Sequence, residues 1–118
     1  MIGLIYLPCV GRLYSAVRGG GAWCDGVPIH VSRATDLALA TITVGISRRT
    51  SPDLSLPMIE TALRSGGALR CMGSCVVALT MVAEGTADGY FEAHIQGWDC
   101  LAGVLTSISH TGLVFGRR

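Results

Sequence analysis

The chain has 118 residues, half of them apolar and 14% charged, with a formal net charge of +1. This length allows one hydrophobic core and not two, so we expect residues 1–118 to form a single domain. The nine basic residues are arginines scattered along the chain, and the absence of a basic stripe argues against a nucleic-acid ligand.

The five cysteines are odd in number and include no C-x-x-C pair, which favours reduced thiols over a disulfide framework. No apolar run approaches the roughly 18 residues of a membrane span, and the first residues read as a strand rather than a signal peptide. Together these features predict a cytoplasmic protein without a membrane partner.

The first third of the chain has the pattern of β-structure. Two apolar or alternating segments, Ile2–Tyr6 and Arg12–Arg18, flank a predicted hairpin connection at Pro8–Gly11. Asp25-Gly26 is a strong turn signal before a predicted strand over residues 27–31. A further strand is predicted over residues 41–46, where β-branched residues cluster.

From Ser55 onward the spacing of apolar residues becomes helical, with short strands between the helices. Helices are predicted near residues 55–65, 74–84 and 99–109, and strands near 68–72 and 88–92. The pattern indicates an α/β fold in which one mixed β-sheet is layered with α-helices. A ligand site is expected where helix N-termini meet strand ends.

Local spacing alone marks few candidate site residues. Gly73-Ser74 at a strand-to-helix junction could present free N–H groups to an anion, although a simple helix cap explains the same pattern. Glu92 ends a predicted strand and Asp99 begins a predicted helix, so both could face one cleft. Each is equally explained as a surface or capping carboxylate.

Three stretches carry motifs that are specific when taken together. They are Gly3-Leu4-Ile5-Tyr6-Leu7-Pro8 continuing through Gly19-Gly20-Gly21-Ala22 to Asp25-Gly26-Val27-Pro28-Ile29-His30-Val31-Ser32, then Arg70 with Gly73-Ser74-Cys75, Val82-Ala83-Glu84-Gly85 and Asp88-Gly89-Tyr90-Phe91-Glu92, and finally Trp98-Asp99-Cys100-Leu101-Ala102-Gly103. Jointly they resemble the inositol monophosphatase family of magnesium-dependent sugar phosphatases. The resemblance implies a fold like the carboxy-terminal half of that family's sandwich.

The resemblance also implies roles for individual residues. Asp99 corresponds to an aspartate that binds a catalytic Mg²⁺, and Glu92 to a glutamate that binds a sugar hydroxyl. Gly73, Ser74 and Cys75 correspond to a turn that meets the substrate through backbone amides, with cysteine in place of the usual alanine. The implied ligand is a phosphorylated polyol or sugar, and the implied reaction is hydrolysis of an inositol-1-phosphate-type phosphomonoester.

The family's paired glutamates and its D-P-x-D-G-T segment, which hold most of the metal, do not occur in this sequence. The resemblance therefore predicts a truncated, incomplete domain that is inactive alone, unless other carboxylates such as Glu84 or Asp88 complete the metal site. Activity would otherwise require a partner chain that supplies the acidic motifs. The alternatives are a noncatalytic module that binds a phosphopolyol or another subunit, and a gene fragment without a selected function.

The apolar composition predicts a homo-oligomer.

Overall fold

The computed structural model describes residues 1–108, whose seven strands form two sheets connected by helices. In chain order the main elements are β1 Ile2–Leu7, β2 Arg12–Val17, β3 Gly21–Cys24, β4 Val27–Pro28, β5 Thr41–Gly45, α1 Leu56–Arg64, β6 Ala68–Arg70, α2 Cys75–Ala83, β7 Gly89–Glu92 and α3 Gly97–Ile108. Two short 3-10 helices, Leu37–Leu39 and Pro52–Leu54, lie in the connections on either side of β5.

The first sheet is antiparallel, with strand order β1-β2-β3-β4. Its turns follow from local sequence: Asp25 and Gly26 both have positive φ, 50° and 79°, as the tight turn between β3 and β4 requires. One face of the sheet is buried under α3 and carries Ile5, Tyr14 and Ala16. The predicted hairpins are therefore confirmed.

The second sheet is parallel, with strand order β6-β5-β7. β5 is the central strand. The chain passes from β5 to β6 on one side of it, and then crosses β5 to form β7 on the other side. Because crossover connections are right-handed, this reversal places α1 and α2 on opposite faces of the sheet. Tyr90 accordingly packs towards α2, whereas its neighbour Phe91 lines a cavity under α1. The carboxyl ends of all three strands lie at one edge.

The predicted α/β class is confirmed, and the three helices lie close to their predicted positions. The prediction of one mixed sheet is wrong, since the antiparallel and parallel strands separate into two sheets with α2 and α3 between them. The strand predicted over 27–31 is shorter and ends at Pro28, although Ile29 N still donates to Ala22 O over 3.0 Å. Helix α3 starts at Gly97, two residues before the predicted start, so Asp99 lies within its first turn. The predicted end of this helix, near residue 109, lies outside the described residues.

An ion-pair cluster connects the antiparallel sheet to the end of α2. The Tyr14 hydroxyl donates to Glu84 Oε1 over 2.7 Å, and Arg12 Nη2 lies 2.7 Å from Glu84 Oε2. Burial first, and then the hydrogen bond to Glu84, raise the pKa of the Tyr14 phenol, so it remains a protonated donor. Glu84 therefore has a structural role between the two layers.

All five cysteines are free thiols. In the part of the chain that the structure describes, no helix is both long and apolar enough to cross a membrane.

Candidate functional site

A pocket of about 180 Å³ opens at the carboxyl edge of the parallel sheet, where the strand order reverses. This is the position at which open α/β sheets generally bind ligands. The five residues to which the family resemblance assigns roles all line this one pocket: Gly73, Ser74, Cys75, Glu92 and Asp99. The structure thus brings together the loop after β6, the end of β7 and the starts of α2 and α3. Their individual roles stay predictions.

The loop between β6 and α2 is shaped by a glycine and a helix cap. Gly73 has φ of +72°, which other residues rarely adopt, and open space surrounds the position that a Cβ would take. Ser74 is the N-cap of α2, and its hydroxyl accepts from Val77 N over 3.4 Å. The capping explanation is therefore correct for the Ser74 side chain. It leaves the first backbone amides of α2 at the pocket, where the helix dipole favours an anion.

Cys75, the first residue of α2, connects the two helix starts. Its thiol donates to the backbone carbonyl of Asp99 over 3.1 Å. Burial first, and then the negative charges of Glu92 and Asp99, raise the pKa of the Cys75 thiol. A protonated thiol is a poor nucleophile and a poor metal ligand, so Cys75 fits a role in positioning the backbone.

The Glu92 carboxylate is held in place by its neighbours on the sheet. The hydroxyl of buried Tyr90, two residues earlier on the same face of β7, donates to Glu92 Oε2. Burial, followed by this hydrogen bond, raises the pKa of the Tyr90 phenol, which keeps it a donor. Gly45, paired with Glu92 across the sheet, has no side chain, and a Cβ there would lie 2.6 Å from Glu92 Cδ. The carboxylate therefore rests over the β5 backbone and faces the pocket.

Asp99 lies in the first turn of α3 and is exposed to solvent. Its backbone N–H donates to Gln96 O over 3.0 Å. A carboxylate at this position is favoured by the dipole of α3. Burial first, and then the charge of Asp99, raise the pKa of the adjacent Cys100 thiol. Asp99 thus presents an accessible carboxyl group at the pocket.

These residues do not by themselves form a magnesium site. Within residues 1–108, no three His, Cys, Asp or Glu side chains lie close enough together to hold a metal ion. The two carboxylates that could have completed a site are used elsewhere: Glu84 pairs with Arg12 and Tyr14, and Asp88 Oδ2 accepts from Thr41 N over 2.6 Å. Since Mg²⁺ is usually held by carboxylates together with substrate phosphate, the described residues fit only one part of its shell.

Sequence reasoning missed several polar side chains of this pocket. Ser47 and Arg49 follow β5, and His94 and Gln96 follow β7, all on loops at the carboxyl edge. Gln96 Nε2 lies 3.3 Å from His94 Nε2. A usable signal existed, because residues that directly follow parallel strands collect at one edge of the sheet. The prediction that the β5 strand extends through residue 46 concealed the start of this loop.

A second, larger cavity of about 240 Å³ lies between α1 and the face of the parallel sheet that α1 covers, which is the face opposite α2. Its lining is mostly apolar, including Val44, Met58, Ala62 and Phe91. Among the described residues, Asp88 is the only charged one that lines it, and Asp88 Oδ2 accepts a hydrogen bond from Thr41 N. The described lining therefore offers no cationic side chain to a phosphate ester.

Comparisons with known proteins show the family of this chain. The model of the Inositol monophosphatase family matches residues 1–106. The chain belongs to the inositol monophosphatase family. Among relatives in this family, Nus factor SuhB of Pasteurella multocida is 34% identical over 116 residues, which are 96% of this chain and 43% of the relative. Fructose-1,6-bisphosphatase/inositol-1-monophosphatase of Aquifex aeolicus is 34% identical over 107 residues, covering 89% of this chain and 40% of that protein.

Solved structures of inositol monophosphatase relatives have the same fold. The extragenic suppressor protein suhB of Bartonella henselae superimposes with a TM-score of 0.85 at 29% identity, over 91% of this chain and 42% of that one. Inositol monophosphatase of Anabaena gives 0.83 at 31% identity, over 90% of this chain and 43% of that one. The chain therefore spans about two fifths of the length of these relatives.

Proposed function

We propose that this chain forms the substrate-side wall of a phosphomonoesterase site for a phosphorylated polyol or sugar. The observation that carries the proposal is the convergence of Glu92, Asp99 and the Gly73-Ser74-Cys75 turn on one pocket. Family membership supports phosphatase chemistry of this type. In this proposal Glu92 accepts a hydrogen bond from a ligand hydroxyl, and the amides at the start of α2 bind oxygen atoms of the ligand.

In this proposal the chain supplies only some of the ligands of a magnesium ion. Asp99 supplies one carboxylate, and the remaining ligands come from the paired glutamates and the D-P-x-D-G-T segment, which this sequence lacks. Hydrolysis of phosphate monoesters is among the slowest uncatalysed reactions and needs roughly 20 kcal/mol of barrier lowering. A single carboxylate does not provide this, so we propose that the chain is inactive until a segment with the missing acids is present. Its free thiols support the cytoplasm as the location of this assembly.

Phosphate release tests this function directly. We would measure release from a panel of sugar, polyol and nucleotide monophosphates with Mg²⁺, using the chain alone and the chain with any copurifying polypeptide that carries the missing acids. We expect background release from the chain alone, together with measurable binding of a polyol phosphate by calorimetry. Glu92→Gln should weaken that binding about 10- to 100-fold, because one charge-assisted hydrogen bond is worth about 1.5–3 kcal/mol.

The matched control is Glu60→Gln, a solvent-exposed glutamate on α1 that pairs with Arg64 and does not line the pocket. It should leave the binding of the polyol phosphate unchanged. Equal affinities of wild type and Glu92→Gln would contradict the role of Glu92. A wild-type chain that binds none of the phosphates would reject the proposed function as a whole.

A subunit-interaction module is the second candidate, and the exposed face of the antiparallel sheet favours it. That face carries Ile2, Leu4 and Tyr6 from β1 and Leu13 and Val17 from β2, here called the outer sheet face. Leu4 is 62% exposed and Tyr6 60% exposed, whereas Gly3 and Ile5, which alternate with them along β1, are buried. A contiguous apolar sheet face of this kind is typical of an interface.

The outer sheet face predicts that the isolated chain associates with itself. The double substitution Leu4→Gln with Leu13→Gln should weaken association on the order of 100-fold or more, because each buried leucine contributes about 1.5–3 kcal/mol. Light scattering over a concentration series measures this. Leu39→Gln with Leu63→Gln is the control, since both leucines are exposed but lie outside the sheets. A wild-type chain that stays monomeric at high concentration, or a control with an equal effect, would contradict the prediction.

A further inference from the structure

Tyr90 lies behind the pocket rather than in its lining. Its side chain packs against Ala78, Leu79 and Val82 of α2, and only 6% of the residue is exposed. It is not among the described residues that line the pocket. Its hydroxyl nevertheless donates to Glu92 Oε2, so this phenol connects a lining carboxylate to the core that α2 covers.

The hydrogen bond distinguishes the two oxygens of the Glu92 carboxylate. Oε2 accepts from the Tyr90 hydroxyl, whereas Oε1 has no hydrogen-bond partner within residues 1–108. Glu92 is only partly buried and lines the pocket. Oε1 is therefore the oxygen that remains for a hydroxyl of the ligand.

The backbone of β5 restricts the same carboxylate from below. A Cβ added to Gly45 would lie 2.6 Å from Glu92 Cδ and 2.8 Å from the Tyr90 hydroxyl oxygen, so only glycine leaves room for both side chains. A glutamate has several rotatable bonds, and fixing them only when a ligand arrives would oppose binding. The bond to Tyr90 and the contact with β5 fix the carboxylate beforehand.

We propose that Tyr90 is a positioning residue, which holds Oε2 of Glu92 so that Oε1 faces the ligand. This inference rests on the proposed function and deepens it. Glu92 then accepts one ligand hydroxyl through Oε1, rather than two neighbouring hydroxyls through both oxygens. Tyr90 does not touch the ligand, and its contribution to affinity passes through the Glu92 carboxylate.

Tyr90→Phe tests the proposal, because it removes the hydroxyl and keeps the ring that packs on α2. Calorimetry with glucitol 6-phosphate as the probe gives the affinity of the whole chain and of each variant. We expect Tyr90→Phe to bind the probe about three- to tenfold more weakly, which is the range that one net hydrogen bond represents.

Tyr14→Phe is the matched control. It also removes the hydroxyl of a buried tyrosine that donates to a glutamate, here Glu84 over 2.7 Å, but neither residue lines the pocket. Both variants should lower the midpoint of denaturant unfolding, whereas only Tyr90→Phe should weaken binding of the probe. An equal loss of affinity in the two variants would reflect general destabilisation and would overturn the proposal.

A Glu92→Ala background separates positioning from a purely structural effect. There Tyr90→Phe should change the affinity by less than about twofold, because the carboxylate through which Tyr90 acts is absent. An undiminished effect of Tyr90→Phe in that background would mean that Tyr90 supports the pocket through the packing of α2. That result would also overturn the proposal.

The same measurements distinguish failure of this inference from failure of the proposed function. If Glu92→Ala weakens binding of the probe while Tyr90→Phe does not, the proposed function stands and the positioning role of Tyr90 is wrong. If the wild-type chain does not bind the probe, the proposed function is wrong and the inference about Tyr90 fails with it.

Discussion

Asp99→Asn is expected to abolish magnesium-dependent phosphate release by any assembly that joins this chain to the missing acidic segments. The substitution keeps the size of the side chain but removes the charge that would hold the metal ion. We expect a loss of kcat on the order of 100-fold or more, equivalent to about 2.7 kcal/mol of transition-state stabilisation. Steady-state kinetics of the assembly measure it, and a magnesium titration should show weaker metal binding in the variant.

Glu92→Gln provides the contrast within the same pocket. Because Glu92 is proposed to bind a ligand hydroxyl rather than the metal, its substitution should mainly raise KM. The chain alone should release phosphate only at background in all versions. Robust magnesium-dependent hydrolysis by the purified chain, lost on Asp99→Asn, would contradict our proposal that its site is incomplete. An assembly that keeps full activity with Asp99→Asn would contradict the metal-binding role.

Gly103→Ala is expected to destabilise the fold strongly, although alanine usually favours a helix. Gly103 lies in α3 where this helix crosses α2, and an added Cβ would lie 2.7 Å from both Cβ and Cδ1 of Leu79. Leu79 is fully buried, so it cannot rotate away into solvent. The helix-propensity gain of about 1 kcal/mol is then outweighed by a larger cost of overpacking, and we expect a net loss of about 1–3 kcal/mol.

Denaturant unfolding of the chain measures this loss as a lower midpoint. Gly97→Ala is the control in the same helix, because the nearest atom to its added Cβ is Leu101 Cδ1 at 3.8 Å, an ordinary contact. That control should leave the midpoint unchanged or raise it slightly. A midpoint for Gly103→Ala equal to or above that of the wild type would show that α2 and α3 are less tightly packed than the structure indicates.

The secondary structure was predictable because short segments of sequence encode its boundaries. Asp25-Gly26 demands a tight turn wherever it occurs, and Ser74 and Gly85 mark the two ends of α2 through local capping and a positive φ. The motifs around Gly73, Glu92 and Asp99 likewise pointed to one site before any fold was known. All of these signals act over a few residues, so they are visible in a linear chain.

Long-range pairing was not predictable in the same way. Whether β5 joins β4 or β7 depends on which apolar faces cover each other, and local periodicity is the same in either case. Glu84 accepts from Tyr14, 70 residues away in the chain, and no spacing rule connects the two. The prediction of a single mixed sheet failed for this reason.

The sequence by itself determined the α/β class, the helices and the residues of the phosphatase-like motifs, since these depend on local conformation and residue identity. Only the tertiary structure decided how they are combined. The reversal of strand order at β5 brings three loops to one edge, so that Arg49 and Gln96 join the predicted residues in one pocket. The same packing places Glu84 and Asp88 away from the pocket. Glu84 accepts a hydrogen bond from Tyr14, and Asp88 accepts one from Thr41 N.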